Sequence, residues 1–244
     1  MIGRLTSEQL EQIRRQEGDR VVRHIEATEL GQVIDRVPAS WIAAVEQPGA
    51  TTAQALLGDL ASVLPRFTDY VCASITGGAI VEVDVGPPML LLYFPNWFEG
   101  PPGVLTAGCC IVGVPSDPAQ LRRLVSNVGR LPAALKQLWT TFSFLSLRDA
   151  SRLCSPDERV LEFAGQPELM RGPFTEWDGS STDDEFLSFA TEGYEAFKCL
   201  RRSPGSKDWP DHIVRVLRNT RELIGSVRSK LDDLLADWTH TDWR

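Results

Sequence analysis

The sequence has no long apolar run. Its richest stretch, Met89 to Phe94, is six residues held between Pro88 and Pro95, far short of the roughly 18 to 20 that a membrane-spanning helix requires. Histidine is scarce: His24, His212 and His240 are the only three, each far in sequence from any cysteine. A structural zinc site wants such ligands at short spacing, so no metal or other cofactor is expected. The five cysteines, Cys72, Cys109, Cys110, Cys154 and Cys199, are odd in number and form no C-x-x-C pair. A chain of 244 residues buries a core without staples, so reduced thiols are expected. The signatures G-x-S-x-G, G-x-x-x-x-G-K-[ST], H-E-x-x-H and G-x-G-x-x-G are all missing. The usual marks of nucleophilic, phosphate-cradling and zinc-protease chemistry are thus absent, and the expectation is a protein that is not an enzyme. The opening Met1-Ile2-Gly3-Arg4-Leu5-Thr6 runs into a charged amphipathic pattern with no apolar signal core, which makes the cytoplasm the expected compartment.

What is present is the profile of a globular protein, with 43% hydrophobic and 24% charged residues, and this excludes disordered, collagen-like and coiled-coil chains. The first sixty-four residues read as helical. Thr6-Ser7-Glu8-Gln9 has the form of a capping box, and Leu10, Ile13, Val21, Val22, Ile25, Leu30, Val33 and Ile34 follow as apolar positions. Ala39 to Glu46 predicts a short helix, and Thr52 caps a further one over Ala53 to Leu64 that stops at Pro65. From about Val71 the period changes to two. Ala79 to Val85, Met89 to Phe94 and Val104 to Val114 predict antiparallel strands separated by proline- and glycine-rich loops. Asp117-Pro118 opens a helix that Gly129 stops, and Pro132 opens another. Phe142 to Leu147 predicts a strand and Arg148 to Cys154 a short helix. Val160 to Phe163, Phe174 to Trp177 and Phe186 to Phe189 are strand candidates, and Glu192 to Arg202 reads as helical. Ile213, Leu217, Ile224, Val227, Leu231, Leu234, Leu235 and Trp238 fall at three-and-four spacing, which predicts one long C-terminal helix starting at Asp208-Trp209-Pro210. The expected fold class is α+β: an antiparallel sheet flanked by helices, with a helical N-terminal region over 1–70 and an α+β body over 71–244, packed as one compact unit.

Charge is unevenly distributed. The formal net charge is −8, and Cys154 to Cys199 alone holds eleven acids against Arg159, Arg171 and Lys198. Ser116 to Leu153 is basic, with Arg122, Arg123, Arg130, Lys136, Arg148 and Arg152 against Asp117 and Asp149. A nucleic-acid partner is not expected, because that basic stretch is too modest to replace the counterions of a polyanion. The densest acidic patch, Asp178 with Asp183, Asp184 and Glu185, is interspersed with glycine and hydroxyls and reads as an exposed loop. It is either a solvated loop or a docking surface for a basic partner, since the alternate-position acids of a calcium loop are absent.

Two other groups stand out. Glu82 and Asp84 lie two apart on an alternating strand, so both carboxylates project from one face. That geometry suits either a metal-assisted acid/base pair or the wet side of a half-solvated strand. The aromatic segment Tyr93-Phe94-Pro95-Asn96-Trp97-Phe98 reads as a loop between proline-rich turns. Exposed, Trp97 and Phe98 would anchor a partner; buried, they would plug the loop against the helices.

The stretch Leu131-Pro132-Ala133-Ala134-Leu135-Lys136-Gln137-Leu138-Trp139, with the strand Phe142 to Leu147 and the helix-like Leu147 to Leu153, resembles the start of the SUKH superfamily. Phe174 to Trp177 and Phe186 to Leu200 look like that family's later part. The resemblance covers about the middle third of the chain. It implies an immunity-type protein: a small non-catalytic α+β scaffold that binds and neutralises a cognate bacterial toxin. The acidic segment points the same way, since an acidic surface suits a basic toxin. The expected partner is therefore a cognate toxin or other basic protein, bound through Asp178, Asp183, Asp184, Glu185, Trp97 and Phe98. A metal-assisted enzyme using Glu82 and Asp84, and a homodimer built on the C-terminal helix, are the alternatives.

Overall fold

The computed structural model describes residues 3–4, 6–7, 11, 23–25, 27–46, 56–75, 77–82, 87–99, 105–147, 152–157, 166–171, 184–192, 196–210, 212–217, 220–227 and 230–233. The class is α+β, with helices and mainly antiparallel strands. Among the described residues no helix is long and apolar enough to cross a membrane. The chain divides into two compact units, Met1–Val114 with Asp233–Arg244, and Pro115–Asp232. The division expected at residue 70 falls instead within a helix of the first unit.

In the first unit, β1 (Gly3–Arg4) pairs parallel with β3 (Gly77–Glu82), and β2 (Arg23–His24) pairs antiparallel with the other end of the same edge. β4 (Met89–Glu99) and β5 (Leu105–Gly113) extend the sheet antiparallel. A 3-10 helix at Ala27–Gln32, α1 (Ala39–Glu46), a second 3-10 helix at Gly58–Ser62 and α2 (Pro65–Ser74) supply the helical part. Trp41, Leu57, Leu60, Leu64, Ile80, Leu90 and Leu91 are at most 1% exposed and form the core. Two sequence expectations change here. A helical segment does end before Pro65, at Ser62, but Pro65 also opens α2, because the first helical position needs no amide donor. The aromatic segment expected as a loop belongs to β4, which runs through Pro95 to Glu99. The register shifts between Phe94 and Phe98, an irregularity that accommodates a residue with no ladder donor.

In the second unit, α3 (Pro118–Val128) starts where the Asp117 carboxylate accepts the Ala119 amide at 2.7 Å, and Gly129 ends it at φ +98°. Both signals are local, and the sequence carries both. α4 (Ala133–Thr141) follows, burying Leu135, Leu138 and Trp139. The strands are β6 (Leu145–Leu147), β7 (Arg152–Leu153), β8 (Glu168–Arg171), β9 (Glu185–Glu192), β10 (Ala196–Arg202), β11 (Ile213–Leu217) and β12 (Thr220–Gly225), and the pairings described among these seven are antiparallel. β7 and β8 share one edge of β9, end to end, while β10 takes the other.

Three helices read from the sequence are strands here. The stretch expected as helical over Glu192 to Arg202 is β10, paired on both edges, since tertiary pairing overrides helix propensity. The expected long C-terminal helix is broken by the β11–β12 hairpin, with Leu217 opposite Thr220, and helical residues are described only from Val227 onward. Ile213, Val214 and Val216 are all buried, and β-branched residues so close together suit a pleated strand. The apolar stripe proposed as a dimer seam therefore does not exist over 213–225. At Arg152–Leu153 a short strand replaces the expected helix, pairing with both β6 and β9. The strand candidates at Val160 to Phe163 and Phe174 to Trp177, the Thr52 cap and Glu8 and Gln9 of the capping box lie outside the described residues. Among the described side chains, those of Cys72, Cys154 and Cys199 form no disulfide.

Candidate functional site

The acidic residues expected to dock a partner do not behave as an exposed loop where they are described. Asp184 is 3% and Glu185 8% exposed. Asp184 accepts from Arg201 Nε at 2.6 Å, and Glu185 pairs with Arg202 at 2.6 Å with side chains 11% and 10% exposed. Alternation explains the separation: Glu185 lies opposite Arg202 in the β9–β10 register, and Arg201 projects from the other face. Both carboxylates are thus engaged within the fold, which corrects their reading as free docking charges. Asp178 and Asp183 lie outside the described residues. Trp97 falls within the irregularity of β4 and Phe98 pairs with Thr106, while their side chains lie outside the described residues.

Of the alternative pair only Glu82 is described. Glu82 ends β3, with its carboxylate accepting from Arg36 Nη1 at 2.7 Å. Asp84 lies outside the described residues. Among the described residues no group of three or more His, Cys, Asp or Glu side chains is placed to hold a metal ion.

Arg202 organises one end of the second unit. Its guanidinium pairs with Glu185, stacks 4.3 Å from the Trp209 ring centroid and donates from Nη1 to the Val128 carbonyl at the end of α3. Trp209 Nε1 donates to that same carbonyl at 2.8 Å. The last turn of a helix leaves carbonyls without intrahelical partners, and here a cation and an indole satisfy one of them. Gly129 makes this closure sterically feasible, because a Cβ there would lie 2.3 Å from the Lys207 carbonyl oxygen.

Beside this junction, α3 and two short segments enclose a groove of about 220 Å³. Gln120, Arg123 and Asn127 come from α3, at three- and four-residue spacing on one helical face. Ser155 and Pro156 follow β7, and Gln166, Pro167 and Leu169 come from the start of β8. The walls are apolar (Leu124, Leu169, Pro156, Pro167), and the polar groups are three carboxamides, one guanidinium and the Ser155 hydroxyl. Leu169 is 40% exposed, one of three large apolar side chains among the described residues that face solvent. Arg123 Nη1 lies 3.5 Å from Gln120 Oε1. Ser155 is fully buried and its hydroxyl accepts the Asp157 amide at 3.0 Å, so it serves the turn.

Two buried thiols of this unit are quiet. Burial pushes the Cys154 thiol up to about 12, with Glu168 adding to the rise and Arg152 opposing it. Burial also raises Cys199, and Cys154 adds to it. A nucleophilic cysteine needs the opposite environment, one that favours the thiolate. The groove therefore offers hydrogen bonding, one positive charge and apolar contact, but no general acid/base pair and no activated nucleophile among its described residues. Sequence reasoning did not single it out. The stripe Gln120, Arg123, Asn127 is visible on a helical wheel, but the segment at Gln166 to Leu169 that completes the groove lies some forty residues on.

Comparison with known protein families, with curated proteins and with solved structures finds no match for this chain.

Proposed function

We propose that the chain is a non-catalytic protein-binding module. The observation that carries this reading is the groove beside α3, whose lining combines carboxamides, a guanidinium, prolines and leucines without catalytic residues. Such a mixture of apolar contact and sparse, directional polar groups is what recognition surfaces use. In its most concrete form the reading is an immunity-type protein that acts in the cytoplasm and neutralises a cognate toxin. The resemblance of Leu131 to Leu153 to the SUKH superfamily supports it, as does the concentration of eleven acids between Cys154 and Cys199. A charge of that sign steers a basic partner into encounter over about 10 Å at 0.1 M salt, even where individual carboxylates such as Glu185 are spent on internal pairs.

The test is affinity capture with the full chain from a lysate of its source organism at low ionic strength, followed by a salt gradient. Supporting the reading requires one basic protein, released at moderate salt and rebinding at one-to-one stoichiometry after purification. Capture of nothing above background, or only of proteins that fail to rebind, would overturn it. In the catalytic alternative, Glu82 is paired with Arg36, and Asp84 lies outside the described residues.

A further inference from the structure

We infer that the outer edge of β12 takes up an extended strand of a basic protein partner; the inference rests on the protein-binding reading and carries it from the groove to a sheet edge. Among the described residues β12 pairs with β11 alone. The hairpin register settles which of its main-chain groups look outward. Leu217 lies opposite Thr220 with two residues between them, so the Leu217 carbonyl accepts the Thr220 amide as in a β-turn. Hydrogen-bonded and non-hydrogen-bonded pairs then alternate. Thr220 and Glu222 therefore turn their N–H and C=O groups to β11, while Arg221 and Leu223 turn theirs away from it. Bulges and prolines blunt a free edge, and from Thr220 to Leu223 the register is regular and no proline occurs. That stretch is open to strand addition, in which main-chain donors and acceptors are matched directly.

The face of the sheet sets the residue type that the added strand needs. Cys199 on β10 lies opposite Val214 on β11, and Val214 lies opposite Leu223. Residues directly opposite one another share a face. Cys199 and Val214 are buried in one apolar cluster with Phe186 and Val216, yet Leu223, next in that row, is 50% exposed. The row thus reaches the edge with an apolar side chain half uncovered, and an apolar residue of the added strand opposite Leu223 continues it. Net charge selects the owner of that strand. The chain carries −8, so a second copy is repelled and a basic partner attracted. The segment is one that alternates apolar residues, on the side of Leu223, with lysine or arginine on the other.

The experiment titrates the full chain at low salt with a labelled octapeptide of alternating Lys and Val, read by fluorescence anisotropy and by residue-resolved amide exchange. The Arg221 and Leu223 amides are expected to exchange at least about tenfold more slowly in the complex, whereas Thr220 and Glu222 are protected already in the free chain. In an antiparallel addition with Val opposite Leu223, the Val amides of the peptide face β12. N-methylation of the Val amides should therefore weaken binding at least about tenfold, and N-methylation of the Lys amides should not. Leu223→Lys keeps the amide but removes the apolar contact and should weaken binding several-fold. Leu223→Pro removes an outward amide, a change that edge strands tolerate, and should abolish binding; circular dichroism checks that both variants keep the fold. Equal binding of the two methylated peptides, unchanged exchange at Arg221 and Leu223, or wild-type binding by Leu223→Pro would overturn the inference. So would concentration-dependent slowing of the same amides without peptide, which would assign the edge to a second copy of the chain. If the peptide fails and the partner captured from lysate binds Leu223→Pro as well as wild type, the edge assignment falls while the protein-binding reading stands.

Discussion

Replacing Arg202 with alanine removes three contacts at once, and their sizes can be stated in advance. The pair with Glu185 is the largest, since the two side chains are only 10% and 11% exposed. Deleting one member of such a pair costs about 3 to 5 kcal/mol, most of it from the buried charge that loses its counter-ion. The stack on Trp209 at 4.3 Å adds about 0.5 to 2 kcal/mol. The Val128 carbonyl loses one donor but keeps the Trp209 indole, so its share is small, below about 1 kcal/mol. Because the pair retains some exposure, the lower end is appropriate, and Arg202→Ala should cost about 3 to 4 kcal/mol in the second unit. Urea unfolding of the full chain followed by tryptophan fluorescence reads this directly, because the stack on Trp209 is broken. A double-mutant cycle isolates the pair: Glu185→Ala in the Arg202→Ala background should cost about 2 kcal/mol less than in the wild type. Arg202→Lys should recover only part of the loss, since an ammonium cannot reach the carboxylate, the carbonyl and the ring as a planar fork does. A destabilisation below about 1 kcal/mol for Arg202→Ala, or strict additivity in the cycle, would refute the reasoning.

Gly129→Ala should cost about 2 kcal/mol or more, because φ +98° disfavours any Cβ and the new atom would meet the Lys207 carbonyl; thermal melting checks it, and a neutral result would mean the α3–Lys207 junction is loose. Trp139→Phe should lose about 1 to 3 kcal/mol by orphaning the buried Cys154 carbonyl, which accepts from Trp139 Nε1 at 2.7 Å; chemical denaturation of that variant measures it, and a loss under about 0.5 kcal/mol would refute it. Stability should depend on the buried thiols only at high pH. With folded values raised above the ordinary 9.0, the unfolded chain ionises first. Their contribution is therefore complete below about pH 9 and falls as pH rises above it, that of Cys154 being lost towards about pH 12, at up to about 1.4 kcal/mol per pH unit for each thiol. Cys154→Ala should flatten that alkaline slope in denaturant titrations, and an unchanged slope would show that Cys154 ionises freely in the folded protein.

The fold was legible where its signals are local. Asp117 with Pro118 and then Gly129 bracket α3, and the run from Met89 marks a strand, as the sequence implies; Ala79 to Val85 marks a strand too, but its described part, Gly77–Glu82, is buried on both faces up to Val81 and does not alternate. It was not legible where two periods coexist. Ile213, Leu217 and Ile224 fit a helical stripe, yet Val214 and Val216, which that stripe leaves out, are buried too, and only the pairing of β10 with β11 decides between the readings. The candidate site failed for a related reason. Asp184 and Glu185 look exposed next to Gly179, Ser180 and Ser181, while the arginines that cover them stand seventeen residues on, opposite them only once β9 and β10 pair. Two adjacent arginines at the end of an apolar segment were the available signal. The groove carried no signal beyond a polar stripe on α3, because its other wall is set by tertiary structure.

The division of the chain has a consequence for its synthesis. The first unit leaves at Val114 and is resumed only at Asp233, whose carboxylate accepts from Arg66 Nη1 across 167 residues. At translation rates of about 5 to 20 residues per second, Arg66 waits roughly 8 to 33 s for that partner. The second unit, contiguous from Pro115 to Asp232, has all its residues made before the first has its last. On the ribosome, then, the unit that begins first is the one that finishes last, and a chain truncated shortly before Asp233 would carry a whole second unit and an incomplete first.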